Sequence, residues 1–119
     1  MVDVGSVTAL TLNVVRDDGI VVYLNGNDQP VMKDNMPEDE PNYQTFASSV
    51  IGGADESAWI QKDVDPANLR EGTNVLAVEI HQANNTSTDI SFDLQLDALA
   101  FPTNQPPTAR AGPDLAVPL

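Results

Sequence analysis

Between Arg16 and Gly26 the chain reads Arg-Asp-Asp-Gly-Ile-Val-Val-Tyr-Leu-Asn-Gly, and this stretch limits what the rest can fold into. Ile20, Val22 and Leu24 fall on one side and Val21 and Tyr23 on the other, the period-two signature of a half-buried strand. A turn signal stands at each end. Asn and Gly tolerate the positive φ of a two-residue hairpin, so Asn25-Gly26 predicts an antiparallel return strand over 29–33. Asp18-Gly19 carries the same signal and predicts a hairpin back to a strand over 8–15. Turn chemistry alone therefore expects three consecutive antiparallel strands.

The same alternation recurs downstream. Leu10, Leu12 and Val14 alternate with Thr11, Asn13 and Val15; Leu76, Val78 and Ile80 with Ala77, Glu79 and His81; and Ile90, Phe92, Leu94, Leu96 and Ala98 with Ser91, Asp93, Gln95 and Asp97. Trp59 and Ile60 are expected in a further strand, with Trp59 and Phe92 in the core. Asp65 before Pro66 offers an N-cap for a single helical turn, and Gly72-Thr73-Asn74 turns the chain into the next strand. No segment carries a helical apolar stripe. About seven strands can close a core only as two stacked sheets or a barrel, and the expectation is an all-β antiparallel β-sandwich of jelly-roll type over residues 1–101. From Pro102 to Leu119 the composition turns proline-rich and loses alternation, as a linker does.

Size and charge narrow the partners. A chain of 119 residues is one domain by its length. Its net charge of −13 repels phosphate backbones and anionic lipid, which argues against nucleic acid and bare membrane surfaces. The same charge suits hard cations such as calcium, which take carboxylate and carbonyl oxygens; it serves solubility equally well. With no cysteine there is no disulfide framework, thiolate site or cysteine nucleophile. No apolar run reaches membrane-span length and no signal-peptide pattern opens the chain. Met1 leading almost directly into a strand suggests a piece of a longer protein.

Four motifs in order, Arg16 to Gly26, Asn35-Met36-Pro37, Asn74 to Gln82 and Thr88 to Leu94, resemble a galactose-binding-like β-sandwich module of secreted bacterial multidomain proteins. The resemblance covers roughly residues 7–99. It implies an extracellular or cell-surface setting beside neighbouring domains such as metallophosphatases, glycosidases or anchoring modules. It also implies strands ahead of the Asp-Asp-Gly segment, where only about fifteen residues stand; an unpaired edge there would favour dimerisation. The tail from Asn104 to Asp114 resembles the opening of a polycystic-kidney-disease-type immunoglobulin-like repeat.

Each candidate residue has a functional and a plainer reading. Asp17 and Asp18, in a tight turn, could join backbone carbonyls around calcium, or bond locally to the turn itself. Asp34, Asn35, Glu38, Asp39 and Glu40 could contribute to such a site or form a solvated acidic loop; Asp34 and Asp39 are the further metal candidates. Glu79 and His81 share one side of their strand, but a single histidine without cysteine leaves too few ligands for an ordinary zinc site. No nucleophile elbow accompanies His81, so no catalytic set emerges. His81 and Gln82 are expected to anchor the loop after them, with Asp89 as a partner for His81 or Arg16. Asn84-Asn85-Thr86-Ser87-Thr88 contains overlapping glycosylation sequons and reads as an exposed polar loop; its amides and hydroxyls also match sugar hydroxyls. Tyr23 and Tyr43 are the candidate aromatic platforms.

The leading expectation is a noncatalytic accessory module that binds a polysaccharide through Tyr23, Tyr43, Asn84 and Asn85. The alternative is a calcium-stabilised structural or adhesive spacer with no sugar ligand.

Overall fold

The computed structural model describes residues 3–87 and 89–101. Thr88 lies outside the described residues. So does the segment 102–119, and with it the expected linker and repeat opening. Among the described residues six strands form two three-stranded antiparallel sheets. They are β1 (Val7–Asp17), β2 (Gly19–Leu24), β3 (Met32–Asp34), β4 (Ile60–Val64), β5 (Leu76–His81) and β6 (Ser91–Ala100). One sheet runs in the order β4-β1-β6 and the other β3-β2-β5. The fold is an all-β, sandwich-like pair of sheets, one strand short of the seven or so expected.

The core follows the alternation. Leu10, Leu12 and Val14 of β1 meet Ile20, Val22 and Leu24 of β2, with Met32 and Val64 completing the buried cluster. Leu76, Val78 and Ile80 of β5 and Leu94 and Leu96 of β6 pack against its margin. Each strand thus turns its even-numbered apolar residues inward, as two sheets stacked face to face require. Among the described residues no helix is long and apolar enough to cross a membrane.

One expected hairpin is corrected and the other holds with a longer loop. Residues 17 to 19 carry the chain from one sheet to the other: β1 ends at Asp17, β2 starts at Gly19, and the two strands lie in different sheets. β1 pairs instead with β4 and β6. The chain crosses here because the apolar faces of β1 and β2 bury each other across the core, which two strands of one sheet cannot do. At the other end Asn25 and Gly26 adopt positive φ (58° and 71°) as expected, yet the return is delayed through residues 25–31, and Val22 pairs with Met32. The polar groups of Asn25 are occupied elsewhere. Its Nδ2 donates to Asn68 O (2.8 Å) and Asn74 Oδ1 (2.9 Å), and its Oδ1 accepts from Val75 N (2.9 Å). The turn is stitched to the loop before β5, and the chain then returns antiparallel as β3.

Two core expectations also change. Trp59 is 52 % exposed and Phe92 47 % exposed. Ile60 pairs with Val14 and faces inward, so its chain neighbour Trp59 must face outward. Phe92 keeps the inward phase but lies opposite Arg16, near the start of β6. There Arg16 Nε reaches Asp34 Oδ2 of the facing sheet at 2.7 Å. The single helical turn does form, over Pro66–Asn68, with the Asp65 side chain accepting from Ala67 N (2.9 Å).

The long excursion between β3 and β4 covers the outer side of the β3-β2-β5 sheet. Ala47 N donates to Gln82 O (3.0 Å), and His81 Nδ1 meets Thr45 O at 2.6 Å. Gly19 must be glycine for this cover to seat. A Cβ there would lie 2.8 Å from both Ala47 Cβ and Asn35 O.

Candidate functional site

The crossing between sheets gathers the acidic residues. The Asp17–Asp18 peptide is cis, and both side chains are buried, but their roles differ. Asp18 Oδ1 accepts from Ile51 N (2.7 Å), and Oδ2 accepts from Ala83 N (2.8 Å) and Ser87 Oγ (3.2 Å). Burial alone would raise its pKa; hydrogen bonds from Ile51 N, the Asp17 carboxyl, Ala83 N and Ser87 Oγ outweigh burial and hold it below the usual carboxylate value of 3.8. Asp18 thus clamps the 35–51 excursion and the 83–87 stretch to the crossing.

Asp17 has no such donors. It is 1 % exposed, and as a carboxylate neither of its oxygens has a donor; only its protonated form can bond, to the Asp18 carboxylate. Burial, then the hydrogen bond its protonated form makes to Asp18 together with the Asp18 charge, then the charges of Asp89 and Glu56 push its pKa up from 3.8 to about 6. One oxygen from each of Asp17, Glu56 and Asp89 lies within 4.8 Å of the others. Oxygens on opposite sides of one calcium ion lie about 5 Å apart, so this spacing fits a single cation. A buried carboxylate without donors, facing two more carboxylates, is a group whose charge a proton or a cation would relieve. These three residues could hold a metal ion.

A second feature lies on the covered side of the β3-β2-β5 sheet. Tyr43, Gln44, Thr45 and Phe46 of the excursion face Ile80, His81, Gln82, Asn85 and Ile90 across a cleft of about 520 Å³. Tyr43 is 89 % exposed and Phe46 47 % exposed, so two aromatic rings stand open beside three side-chain amides. His81 supports the cleft floor. Its two ring nitrogens face Thr45 O and Glu79 Oε1 (2.6 and 2.8 Å), tying β5 to the excursion.

The sequence candidates scatter over these features. Tyr43 and Asn85 meet in the cleft. Tyr23 lies half-buried on β2; its pKa is raised by burial and by Glu79 and Glu40. Asn84 is spent on its own turn, its Oδ1 accepting from Thr86 N (2.8 Å) and Oγ1 (2.7 Å). Asp17 belongs to the carboxylate cluster, while Asp34 pairs with Arg16. The exposed Asp39 offers its backbone carbonyl to Lys33 Nζ at 3.5 Å. Gln82 anchors the loop after it, Nε2 donating to Ser87 O (3.2 Å). His81 anchors the 42–48 segment before it in the chain, and Asp89 joins Asp17 and Glu56 rather than His81 or Arg16.

Sequence reasoning missed Glu56, Gln44 and Phe46. No spacing rule could have found them, since they come from irregular segments placed by the crossing and its clamp. No family model, curated protein or solved structure matches this chain.

Proposed function

We propose that this chain is a noncatalytic, carbohydrate-binding accessory module of a secreted bacterial protein, of galactose-binding-like type, with the Tyr43 cleft as its sugar site. The observation that carries the reading is the pair of exposed rings, Tyr43 and Phe46, beside the amides of Gln44, Gln82 and Asn85 in one cleft. A ring covers the apolar face of a pyranose while amides meet its hydroxyls, the mixture expected of a polar-ligand site. The net charge of −13 favours a neutral glycan over an anionic one. Screening the full chain on a glycan array tests this. Tyr43→Ala should lose at least about tenfold in retention while leaving the melting temperature unchanged, because the ring is 89 % exposed. Equal retention by both proteins would defeat the assignment of the cleft.

The orphaned Asp17 favours a calcium-stabilised spacer as the second reading. Here Asp17, Glu56 and Asp89 hold calcium, which supplies the missing positive charge and pins the crossing, and the chain has no sugar ligand. This reading predicts a calcium-dependent rise in melting temperature with no glycan retained.

A further inference from the structure

The carboxylate cluster and the cleft share one piece of chain. Residues 82–87 and 89–90 lie outside the strands, and Asn84, Asn85, Thr86, Asp89 and Ile90 among them are exposed. Gln82, Asn85 and Ile90 line the cleft, and Asp89, the residue before Ile90, belongs to the cluster. Asp17 sits at the crossing, 1 % exposed and without a donor to its carboxylate, while Asp89 is the exposed member on an irregular segment. Like charges this close repel; Asp18 and Gln82 already hold the chain through Ser87, so the exposed member beyond those ties, on which this force bears, is Asp89. A divalent cation reverses the sign of that force and draws Asp89 back towards Asp17, setting Ile90 and Asn85 against Tyr43 and Phe46.

From this shared segment we infer that a divalent cation on Asp17, Glu56 and Asp89 fixes Asp89 and Ile90 in place and tightens the Tyr43 cleft, so that cation and sugar bind with positive linkage. The inference rests on the proposed sugar site for its second ligand, but its mechanical half stands without it. The path has two further ties: Gln82 O accepts from Ala47 N (3.0 Å), and His81 Nδ1 meets Thr45 O (2.6 Å). Order gained at Asp89 and Ile90 therefore passes to the opposite cleft wall. Linkage of this kind commonly amounts to about 5–150-fold in affinity, shared equally by the two ligands.

Hydrogen exchange of the full chain, with calcium alone as the probe, tests the mechanical half. Exchange in EDTA and in millimolar calcium should differ by about fivefold or more in peptides covering 83–90 and 43–47. Peptides covering 25–31, at the far end of β2, should be unchanged. Asp89→Asn, an exposed substitution that leaves the core intact, should abolish the difference; Glu56→Gln is the second variant should Asn at 89 perturb the loop. Protection confined to 51–57, or no calcium effect anywhere, overturns the inference. A cleft that tightens with calcium while no glycan is retained overturns the sugar reading alone. Glycan retention that is equal in EDTA and calcium overturns the linkage alone.

Discussion

Replacing Asp17 by Asn isolates the charge at the crossing, because it keeps the side chain's shape and removes its ionisation. Asp17 is 1 % exposed, without donors to its carboxylate, and its pKa stands at about 6 against 3.8. A raised carboxyl pKa contributes stability that is complete below pH of about 3.8 and is lost as pH climbs through 6. At about 1.4 kcal/mol for each pH unit, the metal-free fold at neutral pH is destabilised by about 3 kcal/mol. Asn carries no such charge, but its buried amide oxygen lacks a donor too and costs about 1–2 kcal/mol. The variant in EDTA should therefore be more stable than the parent by about 1–2 kcal/mol, or roughly 5–10 °C in melting temperature. In calcium the order should reverse. The parent gains about 2.7 kcal/mol at a hundredfold excess over Kd, and the variant, lacking the buried ligand, gains almost none. Melting curves followed by circular dichroism in EDTA and in calcium, at neutral pH and near pH 4, give every comparison. A variant that melts below the parent in neutral EDTA and keeps its calcium shift would refute the reasoning, showing Asp17 to be neither strained by its charge nor a ligand.

Asp18 should behave in the opposite sense. Its depressed pKa contributes stability above about pH 3.8 that is lost as pH falls, so Asp18→Asn should lose about 2–4 kcal/mol at neutral pH and flatten the acid limb of a urea-midpoint profile. Gly19→Ala should cost about 1–3 kcal/mol by urea unfolding, since its Cβ would sit 2.8 Å from Asn35 O and Ala47 Cβ; an unchanged midpoint would show that the excursion does not seat there. At Asn25, with φ of 58° and three side-chain hydrogen bonds, Ala should cost about 2–4 kcal/mol and Gly about 1 kcal/mol less. Equal midpoints for the Ala and Gly variants would remove the backbone part of that argument.

The period-two pattern carried the class of fold because alternation is a local property. Leu10, Leu12 and Val14, then Ile20, Val22 and Leu24, declare which side of each strand must leave water, whatever that strand pairs with. The cap at Asp65 and the positive φ at Asn25 and Gly26 were legible for the same reason, since each depends on a few neighbouring residues. The return of β2 into β3 was legible in the same way, but the pairing of β1 was not. Asp18-Gly19 offers the same local turn chemistry to a hairpin and to a crossing between sheets. What decided between them was the mutual burial of β1 and β2 against β4, β5 and β6, strands drawn from the second half of the chain. Both site features inherit that dependence. Asp17, Glu56 and Asp89 are separated by long stretches of sequence and meet only because the crossing, the 53–57 turn and the 82–90 segment converge. Tyr43 meets Asn85 because Asp18 and His81 tie their two loops to the same strands. The sequence by itself determined which residues are buried along each strand, through the geometry of the pleat. Only the tertiary structure decided which carboxylates and rings share a site, because that depends on long-range packing to which no local spacing responds.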